Sequence, residues 1–140
     1  MVVGESDTNN YFEVLGGQPA LGRSVNVEEF ATEGTHPVTV ISDYMWRTRF
    51  DADSAILAKP VRLTGTSYTV IGVVGSEFGG MFPGVTAQLW LPLAMVEEVE
   101  PLGNVNTTRS ATGDSWLDRR GRRFLWMRGR LNEGVDTEQA

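Results

Sequence analysis

Residues 37–74 constrain the fold most tightly, because three kinds of local signal follow one another without a gap. Val38 to Ile41 is apolar apart from Thr39 and follows Pro37, so it reads as a strand apolar on both faces. Ser42 or Asp43 then stands where a helix cap belongs, with a side-chain oxygen able to accept from a free amide of the first turn. Trp46 and Phe50, four apart, share one face of that helix. Asp51 to Ala58 carries a further short turn, stopped by Pro60, which disfavours helical backbone at Lys59. Val61 to Thr64 and Ser67 to Val74 read as a hairpin joined across Gly65-Thr66. Gly72, inside the apolar run Val70 to Val74, predicts a bulge or a close approach of backbone, and the run predicts a central strand. The order points to an α+β fold: a mixed or antiparallel sheet, a few short helices and long glycine-rich loops.

The flanks are less regular. Asn9 or Asn10 is placed to cap a short helix through Leu15, ended at Gly16-Gly17. Gln18 to Arg23 reads as a turn-rich connector, and Asn26 to Gly34 as an acidic, exposed stretch. Leu89 to Leu93 alternates as a strand, and Pro92, which has no amide to donate, places it at an edge or ends it there. Ala94 to Val99 reads as one or two helical turns, within a probable long or mobile loop spanning 94–122. Phe124 to Leu131 alternates again, with Leu125, Met127 and Leu131 inward, and Asp136 caps the start of another helix.

A chain of 140 residues suits a single domain. The absence of cysteine excludes disulfides and thiolate metal sites. A net charge of -6 argues against nucleic acid as the main partner. That charge is uneven: residues 1–108 carry 5 basic and 13 acidic groups, residues 109–140 carry 7 and 5. Arg119, Arg120, Arg122 and Arg123 form a basic cluster, either a solvated loop or a contact for an anionic partner or lipid headgroup.

Nothing in the chain reads as an active site. His36 is the single histidine and no nucleophile-elbow pattern accompanies it, so a Ser-His-Asp site is not expected. Glu28-Glu29 and Asp51-x-Asp53 are the carboxylate groups that a hydrolase would have to use. Asp51-Ala-Asp53-Ser resembles the start of a calcium loop but lacks its central glycine and terminal glutamate. No catalytic residue, metal or cofactor is therefore expected. Phe78, Met81 and Phe82 sit in a glycine-rich loop beside the strand bearing Trp90. They either tuck over a sheet edge or form an apolar contact for a partner or a lipidic ligand.

Seven segments in order resemble one family. These are Asn10-Tyr11-Phe12-x-Val14-Leu15-Gly16, Pro19-Ala20-Leu21-Gly22-Arg23 and Val38-x-Val40-Ile41-Ser42-x-x-x-Trp46-x-x-x-Phe50. There follow Val61-x-Leu63-x-Gly65-x-x-Tyr68-Thr69-Val70-Ile71-Gly72-Val73, Phe78-x-Gly80, Leu89-Trp90-Leu91-Pro92-Leu93, and Gly129-Arg130-Leu131-x-x-Gly134-Val135-x-x-x-Gln139-Ala140. Together they resemble the extracytoplasmic core domain of MacB-like ABC transporter permeases. Ala58, where that family often has glycine, and Pro60 depart from the pattern, and residues 94–122 match nothing in it.

The resemblance implies an extracytoplasmic, periplasmic domain fragment, residues 1–140, mostly the inserted lobe of a two-lobed domain in a longer membrane protein. It implies a non-enzymatic role, transmitting motion to, or contacting, a partner protein or exported substrate. The partners it implies are the parent chain's membrane helices and second lobe, a cytoplasmic ATPase indirectly, and a periplasmic adaptor or exported substrate. A module binding an apolar or lipidic molecule is the alternative, and a carboxylate-based hydrolase a third reading.

Overall fold

The computed structural model describes residues 3–99, 126–136 and 138. Six strands form one sheet: β1 (Gly4–Asp7), β2 (Pro19–Gly22), β3 (Val38–Ser42), β4 (Pro60–Leu63), β5 (Thr66–Val74) and β6 (Leu89–Pro92). Two helices accompany it, α1 (Tyr11–Leu15) and α2 (Asp43–Phe50), with 3-10 turns at Val27–Phe30, Ser54–Ile56 and Leu93–Glu98. Among the described residues no helix is long and apolar enough to cross a membrane.

The strand order is β1-β6-β3-β5-β2, and β4 also pairs with β5. β3 runs parallel to β5 and β1 parallel to β6, whereas β6 is antiparallel to β3. The sheet is therefore mixed, and the fold is α+β as the sequence indicates. β5 is its organising strand. One of its edges carries β3, and the other carries β4 beside Thr66–Thr69 and β2 beside Gly72–Val74.

Both faces of the sheet are buried. On one, Ile41, Tyr68, Val70, Val73, Leu89 and Leu91 pack with Met45, Ile56, Val61 and Met95, and Trp46 and Phe50 of α2 close over them. On the other, Val40, Val74 and Trp90 pack with Tyr11, Phe12, Val25 and Ala87. Neighbours in sequence fall on opposite faces, as strand geometry requires. β5 breaks the alternation once: Thr39 pairs with Val70 but Val40 with Gly72, so Ile71 is an extra residue. After it Val73 returns to the face of Val70, and Val74 joins Ile71 on the other. Gly72 is also the close approach its sequence position predicts, since a Cβ there would lie 2.2 Å from the Arg23 carbonyl oxygen.

The local signals for α2 and the end of α1 hold. Ser42 Oγ accepts from the Met45 amide at 3.1 Å, and Gly16 ends α1 with φ of 78°. Asn10 precedes α1 but makes no side-chain capping bond.

Several expectations are corrected. Residues 4–7 and 19–22 are strands, where the sequence offers no strand signal in the first and only a turn-rich connector in the second. The hairpin pairs Leu63 with Thr66, so its two-residue loop is Thr64-Gly65, one place earlier than the glycine alone suggests. β6 is internal, not an edge, although it does end at Pro92. Its ladder with β3 ends at Trp90, so the missing amide of Pro92 interrupts nothing on that side. The 26–34 stretch is not wholly exposed: Glu29 is buried in a reciprocal capping box with Asn26. Residues 126–131 form no strand, and Met127 and Leu131 face solvent. Most of the 94–122 loop, together with Phe124 and Leu125, lies outside the described residues.

Candidate functional site

The loop between β5 and β6 is anchored from below by an acid on β1. Period-two geometry turns Glu5 to the same face as Trp90, with which it is in register. Its carboxylate accepts from the Trp90 indole at 3.1 Å, from the Tyr11 hydroxyl, and from the Met81 backbone amide at 3.1 Å. One side chain thus ties α1, β6 and the loop together. Burial, and then the hydrogen bond to Glu5, push the Tyr11 phenol well above its ordinary range.

Above this hub the rings stack. Phe78 lies 5.4 Å from Trp90, 5.5 Å from Phe12 and 6.0 Å from Tyr11, centroid to centroid. These tilted and edge-on contacts suit the charge distribution of aromatic rings. Phe78 and Met81 tuck back onto the core, and Trp90 is wholly buried. Phe82 is different: half-buried, it packs against neither core cluster and meets Trp126 edge-on at 5.7 Å. Trp126 is 73% and Met127 94% exposed, so the half-buried Phe82 adjoins an exposed apolar pair, beside the exposed loop residues Pro83 to Thr86.

The sequence-derived candidates therefore divide. Phe78, Met81 and Trp90 are brought together as inner packing, and Phe82 joins an outer surface with Trp126. Arg119, Arg120, Arg122 and Arg123 lie outside the described residues. Trp126 was passed over by sequence reasoning because its alternating context suggests a strand. Glu5 was missed because its partners Trp90 and Met81 lie 85 and 76 residues away.

Two of the carboxylates that a hydrolase would need, Glu29 and Asp53, have other occupations. Glu29 takes a bidentate bond from Arg23 at 2.7 and 2.8 Å and accepts from the Asn26 amide, and the Arg23 bond holds its pKa below the ordinary value. Asp53 caps the turn at Ala55 and pairs with Lys59. His36 Nδ1 contacts Thr35 Oγ1 at 2.8 Å. Among the described residues no group of three or more histidine or acidic side chains is placed to hold a metal. A shallow cleft between α2 and the loop, lined by Asp43, Tyr44, Arg47, Ser76, Phe78 and Thr86, completes the surface. Its two charges pair with each other, Arg47 to Asp43 at 2.8 Å.

No curated protein matches the chain. Among solved structures, the periplasmic region of MacB from Actinobacillus actinomycetemcomitans matches with a TM-score of 0.51 and 24% identity. The match covers 63% of this chain and 36% of that one, and it shows the shared fold. The model of the MacB-like periplasmic core domain matches residues 1–140. The chain belongs to the MacB-like periplasmic core domain family, the extracytoplasmic part of MacB-type ABC transporter permeases.

Proposed function

We propose that this domain is a non-enzymatic coupling element of its permease, carrying motion from membrane helices to a partner protein or exported substrate. The observation that carries this reading is the Glu5 hub. It binds the N-terminal strand to Trp90, Tyr11 and the loop at Met81, so β1 is part of the body and not a tether. A displacement delivered to β1 passes to β6 through the ladder and to the Phe82–Trp126 surface through the loop. In this reading the parent chain's membrane helices and second lobe supply the motion, and a cytoplasmic ATPase drives it indirectly. The outer aromatic pair meets a periplasmic adaptor or the exported substrate.

The alternative of an apolar-ligand module is less well supported. Trp90 would have to line a cavity, and its side chain has no exposed surface. The test is a double substitution, Phe82→Ser with Trp126→Ser, in the full-length permease reconstituted in vesicles. Coupled export should fall at least tenfold while basal ATP hydrolysis stays within twofold of the parent. Undiminished export would overturn the reading.

A further inference from the structure

The last residue of β1 carries a group that the coupling role does not use. Asp7 is only 2% exposed, and neither of its carboxylate oxygens has a hydrogen-bond partner. Opposite it in register stands Pro92, which has no amide to offer. Two residues from Glu5, it lies on the same face of the strand.

Its electrostatic surroundings disfavour a negative charge on balance. On its own strand the charged neighbour is Glu5, and from α1 the Tyr11 phenol shares the same field. β6 contributes Pro92, and the 3-10 helix packed on β1 buries Ala94, Met95 and Val96 while its acids, Glu97 and Glu98, are exposed. Among the described residues no cation acts on Asp7. Burial first, and then the Glu5 charge, push its pKa well above the ordinary 3.8, against a smaller opposing effect of its own backbone.

An ionised Asp7 has one route to water. β1 has four residues, pairs among the described strands with β6 alone, and leads into the exposed turn at Thr8–Asn10. Lifting its C-terminal end, a local opening at the edge of the sheet, exposes Asp7.

We propose that Asp7 is a proton-operated latch: β1 lies in the sheet while this acid is neutral, and loss of the proton is linked to release of β1 from β6. The sign follows from linkage. The closed state holds a proton that the open state gives up, so pairing is strongest below the ordinary carboxylate value. It weakens as pH rises from there toward the folded-state value. Release of β1 also withdraws Glu5 from Trp90, Tyr11 and Met81, so acid conditions tighten the loop face and alkaline ones loosen it. The latch stands on the packing around Asp7 and does not depend on the coupling role.

The experiment uses the 140-residue chain and NMR from pH 4 to 8. One readout is the Asp7 carboxyl carbon, and the other is amide exchange at Glu5 and Ser6 after correction for intrinsic base catalysis. Asp7 should show no ionisation at its ordinary value, and the opening constant of β1 should rise up to tenfold per pH unit. Asp7→Asn and Asp7→Val should abolish that rise. An ordinary titration with β1 amides still protected would overturn the proposal, and the unmutated chain alone decides this if the variants do not fold. An unchanged pH dependence in Asp7→Val would overturn it equally.

Discussion

Trp90 and Glu5 lie 85 residues apart in sequence and face each other in register, the indole N–H donating to the carboxylate over 3.1 Å. Three donors converge on that carboxylate, so its removal strands the Tyr11 hydroxyl and the Met81 amide and leaves the Trp90 indole only a longer bond, 3.3 Å, to the Tyr11 oxygen. Glu5→Ala should cost about 2–3 kcal/mol in urea unfolding. Glu5→Gln, which keeps one acceptor oxygen, should lose less than half as much.

Gly72→Ala should be severe. The added methyl would lie 2.2 Å from the Arg23 carbonyl oxygen, and β2 would have to part from β5 to admit it. We expect a loss of about 3 kcal/mol, at the upper end for overpacking, measured by chemical denaturation.

Ala58→Gly should stabilise. Ala58 has φ of 67°, in the left-handed region, while its amide bonds to the Val70 carbonyl at 2.8 Å. An L side chain costs about 1 kcal/mol there, and glycine's greater unfolded-state freedom takes back part of the gain. A net gain of about 0.5 kcal/mol should raise the midpoint of thermal unfolding by about 1–2 °C.

Gly65→Val isolates backbone strain. Gly65 has φ of 100°, and nothing lies within 4 Å of where its Cβ would be. A β-branched residue should therefore cost about 1–3 kcal/mol through conformation alone. A hairpin with unaltered thermal stability would contradict the turn geometry.

Acid should weaken the 23–29 region. The Arg23 guanidinium bonded to Glu29 lowers the carboxyl's pKa from its ordinary 4.5. The folded state therefore releases this proton more readily than the unfolded one, and the contribution is present above pH 4.5 and lost as pH falls below it. Arg23→Met should flatten that part of the stability profile between pH 5 and 3, read by denaturant titration.

The sequence is most legible where structure is decided locally. Ser42 caps α2, Trp46 and Phe50 face the core, and Gly72 marks a bulge, because each signal acts within a turn or a single strand. β1 and β2 are short and weakly apolar, and their identity depends on β6 and β5, distant partners that no local pattern announces. Pro92 misleads because a proline is excluded from a ladder only where the ladder reaches it. The hairpin loop is misplaced by one residue because Thr64, a β-branched residue with φ of 47°, takes a position that favours glycine or asparagine. In the candidate site the apolar loop is visible in the sequence. The division into inner Phe78 and outer Phe82 is not, because it depends on which ring Trp90 and Trp126 each receive.

The pairing of β1 with β6 also sets an order of assembly. β1 is the earliest strand of the described chain, yet its one hydrogen-bonded neighbour is the latest. The central β3-β5 framework can close before residue 89 has emerged, but the outer rim of β6 stays bare until β1 is retrieved. Such a long-range closure is slow compared with hairpin formation. During that interval the exposed strand is open to the wrong partner. Ser6 and Asp7, polar residues in that late-docking strand, give its free form less tendency to pair elsewhere.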